Sequence, residues 1–273
     1  MKLSTLIERV KLHVSFFRRA VTIYKVQSPF AYELISEVIQ SSEVYYDFAP
    51  IEAMRKLLRN DNSQINFLDF GAGNKSGKRV VSEIAKTSLA PSSQGQMLFK
   101  LVNKLKPRVI IELGTCLGIT TSYLMAARKS STVYTLEGNV DFLSIAEGVF
   151  RQLKLNNYKT IAGNFDDTLP ALLEKLEKVD LIYIDGNHSY DATIRYVNLV
   201  LPKMSEDGVI VLDDLLWSNE MQQVWKKIIQ KEEAVFSLEI RDLGFVFLKK
   251  TLQPKHLCFI SYWCKPWQLG LFM

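Results

Sequence analysis

Three carboxylates and one imidazole stand where apolar runs stop. Asp185 closes Leu181-Ile-Tyr-Ile, Asp213 and Asp214 close Val209-Ile-Val-Leu, and His188 follows Asp185 by three residues. Acids gathered at neighbouring strand ends repel one another unless a cation or a proton lies between them. Hard oxygen ligands select Mg²⁺, Mn²⁺ or Ca²⁺. A neutral imidazole can take a proton near neutral pH, and a divalent ion can lower the pKa of a bound hydroxyl. The set therefore fits activation of an alcohol, with His188 as base and Asp185, Asp213 and Asp214 as metal ligands. The plainer alternatives are helix capping by Asp213 or Asp214 and a backbone hydrogen bond for His188.

A second constellation is Glu112-Leu-Gly-Thr-Cys-Leu-Gly, with the spacing ExGxxxG. It is not a dinucleotide fingerprint, because Cys116 stands where GxGxxG needs glycine, and no GK[ST] follows to make a phosphate loop. Glu112 can accept a hydrogen bond from a cationic amino group, and Gly114 lets the chain pass close to a ligand. The next strand ends in Glu137, an acid about 20 residues beyond the loop, the arrangement that holds a ribose diol. A similar loop, Asp69-Phe-Gly-Ala-Gly, lacks this sequel: helix is expected to about Lys86 and again over Ser92–Lys104, with no second strand and no acid. It reads as a structural turn or a wall of the substrate site.

These residues need elements to position them. Between 106 and 249, strands are expected at Val109–Leu113, Thr132–Glu137, Lys159–Ala162, Leu181–Asp185 and Val209–Leu212. Helices fit at Thr120–Arg128, Val140–Leu153, Leu169–Leu176 and Asp191–Val200. That is the βαβ rhythm of a doubly wound, mostly parallel α/β sheet. Ser237–Arg241 and Gly244–Leu248 read as an antiparallel hairpin. The chain before this reads as a helical cap over residues 1–91. In it Leu3, Leu6, Ile7, Val10, Val14 and Phe17 recur at helical spacing, with basic residues on the other face. Ser28-Pro29 starts a further helix carrying Tyr32, Ile35, Val38 and Ile39 inward, and another begins near Pro50. Tyr45, Tyr46 and Phe48 line an acceptor site if these helices fold over the ligand face. Residues 92–250 form the catalytic domain, and 251–273 an aromatic arm with Phe259, Tyr262, Trp263, Trp267 and Phe272.

Five motifs, in order over about half the chain, resemble class I S-adenosylmethionine-dependent methyltransferases, in the metal-dependent branch of the catechol and caffeoyl-CoA O-methyltransferases. They are Val109-Ile-Ile-Glu-Leu-Gly-Thr-Cys-Leu-Gly, Val133-Tyr-Thr-Leu-Glu-Gly, Gly163-Asn-Phe-Asp, Asp180-Leu-Ile-Tyr-Ile-Asp-Gly-Asn-His, and Gly208-Val-Ile-Val-Leu-Asp-Asp-Leu-Leu-Trp-Ser. The resemblance implies a Rossmann-like seven-stranded sheet with its last strand antiparallel, in agreement with the hairpin. It implies Glu112, Gly114, Thr115 and Gly118 near the methionine part of S-adenosylmethionine and Glu137 on the ribose. Gly163, Asn164 and Phe165 fall beside the adenine, and Asp185 at the junction of cofactor and metal. Two departures are visible. Asp214 replaces the usual Asn after the first acid, and His188 stands where the catechol type has lysine. Asp-Gly-Asn-His is similar instead to macrolide-sugar O-methyltransferases, where the histidine is implied to be the general base. The expected acceptor is a small-molecule or sugar hydroxyl.

Composition bounds the alternatives. The 273 residues carry a net charge of +5 and 48% hydrophobic residues. Three cysteines without a CxxC pair argue against a zinc site or disulfide framework. No apolar run of roughly 20 residues occurs, and no signal peptide is expected, so a cytoplasmic location is. The core of the chain lacks the basic footprint of a nucleic-acid binder, and no NPPY-type motif for amino-group methylation is present. A metal-free N- or RNA methyltransferase is the rival enzyme. Residues 1–30 hold six basic residues against Glu8 alone. With the aromatic arm, they leave peripheral membrane contact, a homodimer, or a non-catalytic protein that retains the cofactor fold as further readings.

Overall fold

The structure, a computed structural model, describes residues 3–68 and 76–268. The Asp69–Gly73 loop and Phe272 lie outside the described residues. The chain divides into two compact units, residues 1–41 with 183–273, and residues 42–182.

The first unit opens with α1 (Leu3–Arg19) and α2 (Pro29–Leu34), the latter N-capped by Ser28, whose hydroxyl accepts the Ala31 N–H. The contiguous unit begins at α3 (Phe48–Arg59), followed by β1 (Gln64–Leu68), β2 (Ser76–Val80), α4 (Val81–Thr87) and α5 (Ser92–Leu105). Then comes the alternating series β3 (Val109–Leu113), α6 (Ile119–Ala127), β4 (Thr132–Glu137), α7 (Val140–Gln152), β5 (Tyr158–Ala162) and α8 (Phe165–Lys175), ending at β6 (Val179–Ile184). The rest of the first unit is α9 (Tyr190–Val200), β7 (Met204–Leu212), α10 (Asn219–Ile228), β8 (Phe236–Ile240), β9 (Leu243–Phe247) and β10 (Lys255–Cys258).

Eight strands form one sheet in the order β10-β8-β9-β7-β6-β3-β4-β5. β3, β4 and β5 pair in parallel, while β9 runs antiparallel to both β7 and β8. This is the expected Rossmann-like α/β sheet with its antiparallel hairpin, extended by an eighth strand, β10, parallel to β8 at the edge. Leu113, Leu136, Ile182 and Val211 are fully buried, as strands covered on both faces require. A second sheet, β1 with β2, is an antiparallel pair. It corrects the expectation of helix after the first glycine loop: Ser76–Val80 is strand, held by the backbone ladder rather than by apolar alternation.

In residues 42–182, Glu52 fastens three helices. Its Oε1 accepts Arg55 Nε at 2.9 Å and the Tyr123 hydroxyl at 2.8 Å, and its Oε2 accepts Ser92 Oγ at 2.6 Å. These contacts hold its carboxyl below the ordinary value against the desolvation that would raise it. Phe48 is buried against Phe99 and Tyr123 (ring centroids 5.0 and 5.6 Å). It is a core residue, whereas Tyr46 is fully exposed.

In the other unit, α1 is mounted the opposite way round from its sequence pattern. The buried positions are Phe16 and Ala20, clustered with Leu216 and Cys258, whereas Leu6, Ile7, Val10, Val14 and Phe17 are exposed. The helix is held by polar contacts. Arg19 Nη1 and Nη2 donate to Glu239 Oε2 and Oε1 at 2.8 and 3.0 Å, and Glu239 is fully buried. The backbone then bridges Val21 to Phe259. His256 shares a hydrogen bond of 2.9 Å with Ser237 Oγ. Among the described residues no helix is long and apolar enough to cross a membrane.

Removing one partner of a buried pair leaves the other charge stranded. With the Arg19 side chain 40% exposed, the loss is discounted for solvent screening. Arg19→Ala is expected to cost about 2 kcal/mol, a fall in Tm of about 5 °C. A scanning-calorimetry midpoint unchanged from wild type would refute the tether.

Candidate active site

The sequence from β3 into α6 makes a turn that only glycine can complete. Gly114 and Gly118 have φ of 104° and 79°, in the left-handed region that favours glycine. A Cβ on Gly118 would also lie 2.7 Å from the Phe150 ring and 2.8 Å from Ala146 Cβ. Gly114 and Thr115 donate their N–H groups to Leu136 O, pulling the turn over the end of β4. Glu137 fixes it there: Oε2 accepts the Cys116 N–H and Oε1 the Asn139 N–H, both at 2.9 Å. Cys116 is itself left-handed, with φ of 48°, a strain the glutamate contact offsets.

Beneath this turn lies Glu112, fully buried. Its Oε2 accepts hydroxyl protons from Thr121 at 2.5 Å and Thr135 at 2.6 Å. Thr135 has a single proton, so the 2.5 Å contact between Thr115 and Thr135 is donated by Thr115. Glu112 Oε1 has no partner among the described residues. Burial pushes the carboxyl up to about 7 despite the two threonines, and Glu137 adds to the rise. An orphaned buried acceptor of this kind fits a cationic group such as an ammonium, which would restore the charged form.

The far end of the turn system is Gly163-Asn164-Phe165. Gly163 (φ 134°) donates its N–H to Glu137 O, and Asn164 N-caps α8 through the Asp166 N–H at 3.1 Å. The structure joins Glu112, Gly114, Thr115, Gly118, Glu137 and Gly163 in one hydrogen-bonded system, with Asn164 and Phe165 beginning the next helix. Asn139, which the sequence reading passed over, accepts the Asp141 and Phe142 N–H groups and donates to Asn66 O at 3.1 Å. Asp141 Oδ2 accepts the Asn66 N–H at 2.8 Å, so β1 is tied to the segment that follows Glu137.

The carboxylate set lies in the other unit. Asp185, His188 and Asp214 bring one ligand atom each within 4.8 Å of one another. His188 Nε2 is 3.4 Å from Asp214 Oδ2 and 3.7 Å from Asp185 Oδ1, longer than a strong hydrogen bond. The turn that returns His188 passes through Asn187 (φ 51°), a conformation asparagine tolerates, and Asn187 Nδ2 donates to Tyr196 Oη at 3.2 Å. Asp214 is also left-handed, φ 57°.

Asp213 turns the other way. It is buried, accepts the Asp214 N–H at 2.8 Å, and accepts the Tyr183 hydroxyl in a short hydrogen bond; that hydroxyl also lies 3.2 Å from Asp185 Oδ2. Period-two alternation put Tyr183 and Asp185 on one face, the signal by which Tyr183 was legible. Neither aspartate caps α10. That cap is Ser218, which accepts the Met221 N–H.

Burial pushes His188 below and Asp214 above its ordinary value. The imidazole is therefore held neutral near pH 7, with Nδ1 buried and without a partner among the described residues. Two carboxylates and one imidazole fit a divalent cation completed by water. One nitrogen cannot both coordinate a cation and receive a proton.

Residues 111–215 match a family described as a methyltransferase domain. An uncharacterized protein of Acanthamoeba polyphaga mimivirus is 29% identical over 138 residues; the match covers 45% of this chain and 60% of that protein's length. A methyltransferase of Podospora anserina, bound to S-adenosylhomocysteine, superposes with a TM-score of 0.58 at 15% identity, over 82% of this chain and 97% of its own. An O-methyltransferase of Bacillus cereus in complex with S-adenosylhomocysteine gives 0.56 at 18%, over 79% and 94%. TomG, an O-methyltransferase of Streptomyces achromogenes in complex with S-adenosylmethionine, gives 0.55 at 14%, over 78% and 95%. At these identities the likeness is one of fold. The chain has a Rossmann-like methyltransferase fold and resembles the O-methyltransferase branch.

Glu112 yields a pH signature. Its folded pKa lies above the 4.5 of an ordinary glutamate, so its stabilising contribution is complete below 4.5 and is lost as pH rises through about 7. Glu112→Gln is therefore expected to stabilise the ligand-free protein by about 3 kcal/mol at pH 8 and by almost nothing at pH 4. Paired urea melts at the two pH values read the difference; a gap independent of pH would mean that folding does not raise the Glu112 pKa.

Proposed function

We propose that this protein transfers the methyl group of S-adenosylmethionine to a hydroxyl of a small molecule or sugar, with His188 as general base. The observation that carries this reading is the convergence of Asp185, His188 and Asp214 around an imidazole kept neutral by burial. In a doubly wound sheet, ligands bind outside the carboxyl ends of the strands; the Glu112–Gly118 turn follows β3, Glu137 ends β4, and Asp185 and Asp214 follow β6 and β7.

S-adenosylmethionine supplies an electrophilic methyl on a sulfonium. Glu112 Oε1 offers an acceptor for its ammonium, and the half-buried Glu137 offers remaining lone pairs to the ribose hydroxyls. Gly163, Asn164 and Phe165 border the adenine. The acceptor oxygen attacks the methyl carbon, the carbon–sulfur bond breaks with its electron pair left on sulfur, and the hydroxyl proton passes to His188 Nε2. A divalent cation, where one binds, lowers the pKa of the hydroxyl. The carboxylates of Asp185 and Asp214 would hold it, leaving Nε2 to the proton. Asp213 acts behind them, fixing Tyr183 and the Asp214 amide.

His188→Asn is expected to lower kcat by 10²-fold or more, the usual worth of a general base, while leaving the Kd for S-adenosylhomocysteine within about twofold. The rising limb of the wild-type pH profile should have its midpoint below about 6.5, the ordinary imidazole value. Radiolabelled methyl transfer across a panel of catechols, flavonoids and glycosides reads both. Full activity in the variant would remove His188 from the chemistry.

Asp214→Asn separates the two roles of the acid pair. A metal-assisted enzyme would lose Mg²⁺- or Mn²⁺-dependent rate at least about tenfold. Activity of the wild type unmoved by EDTA, with Asp214→Asn unimpaired, would leave the base and discard the cation.

A further inference from the structure

We infer that the outer face of α1, continued by the aromatic segment around Trp267, is a docking surface for an anionic phospholipid membrane. The helix is amphipathic, and its polar side is the one already engaged. Arg9 stacks its guanidinium 3.7 Å from the Trp217 ring centre and donates to Trp217 O at 3.3 Å. Glu8 accepts the Asn219 N–H at 3.0 Å. The side left to solvent is apolar: Leu6, Ile7, Val10, Val14 and Phe17 are 46%, 47%, 54%, 46% and 38% exposed. Residues 6, 10, 14 and 17 follow helical spacing, with Ile7 beside them, so they form one stripe rather than scattered side chains. A contiguous apolar patch of this kind on a folded protein marks an interaction surface.

The stripe continues past the end of the helix. Phe17 meets the edge of Trp267 at 6.3 Å, Tyr24 meets Tyr262 at 6.2 Å, and Tyr262 packs on Trp263 at 4.3 Å. Trp263, Trp267 and Tyr24 are 76%, 60% and 60% exposed. Tryptophan and tyrosine with one apolar and one polar side suit the interface between hydrocarbon and headgroup.

Charge selects the occupant. Exposed Lys11 lies within one turn of Ile7 and Val14, exposed Arg18 one turn beyond Val14, and exposed Lys25 beside Tyr24. Glu8 is the one acid of α1, and it is already engaged by Asn219. A second copy of the chain packed on this face by a two-fold axis would bring the Lys11 and Arg18 of both helices into one interface with no free acid of α1 to answer them. Anionic headgroups answer them directly, and an apolar stripe bordered by basic residues is the pattern of a helix lying in the membrane surface.

The test is co-sedimentation of the full chain with phosphatidylcholine vesicles, pure or with about one third phosphatidylglycerol. The wild type is expected to partition at least about tenfold better onto the anionic vesicles, less so at high salt. Val10→Glu with Val14→Glu should reduce that partition about tenfold, and Lys11→Ala with Arg18→Ala should abolish the preference for phosphatidylglycerol. All four positions are exposed, so Tm and the Kd for S-adenosylhomocysteine should match wild type and show that the fold is intact. Wild-type protein left in the supernatant with both vesicle types overturns the proposal. So does sedimentation undiminished by the glutamates. A dimer by light scattering that the glutamates dissolve would also overturn it, assigning the face to a second copy.

Discussion

A single carboxylate organises the loops that follow β3, β4 and β5. Glu137 stands at the end of β4 and gives one oxygen to the Cys116 amide and the other to the Asn139 amide. The first contact holds the strand-to-helix turn in a conformation that Cys116 would not adopt alone; the second starts α7 at the residue that also clamps the hairpin. Carboxylate–amide bonds of this kind are charge-assisted and stronger than neutral ones. Even the third loop depends on this residue, because the Gly163 amide binds the Glu137 carbonyl. Three segments far apart in sequence are thereby set by one side chain and its backbone, before any ligand arrives.

Much of this was legible in the residues, for physical reasons that also say where the legibility stops. β3 lies where a β-branched apolar run placed it, as burial on both faces requires, and β4 lies where β-branched and aromatic residues alternate between buried and half-buried positions. β2 escaped because Ser76-Gly-Lys-Arg-Val carries no burial pattern; its order comes from backbone pairing with β1, which no side chain announces. β10 is four residues long and begins with two exposed ones. The α1 periodicity correctly marked a helix, but periodicity reports a face without saying what the face meets. Inward it presents Phe16, clustered with Ala20 just past its end, while Glu8, Arg9 and Arg19 reach partners more than 200 positions away.

The acid set shows the same limit at finer scale. Residue types and spacing assembled Asp185, Asp213, Asp214 and His188, yet adjacent residues leave a strand in opposite directions. Asp213 and Asp214 therefore could not both face the same space. The structure gives Asp213 to Tyr183 and turns Asp214, through a left-handed backbone, towards His188. Burial does the rest, disfavouring charge on both members of the His188–Asp214 pair. The outcome is a local medium in which proton position is decided by whatever binds there.

The unit built from residues 1–41 and 183–273 is discontinuous in the chain, whereas residues 42–182 are contiguous. During vectorial synthesis the contiguous unit can acquire its core as soon as it leaves the ribosome. Arg19, by contrast, must wait for a glutamate 220 residues downstream. Through that interval α1 is a nascent segment without its native partner, carrying both an apolar stripe and a cluster of cations. Ordering of α1 then follows synthesis of a segment more than 200 residues later, and the ion pair forms only once both parts of this discontinuous unit are present.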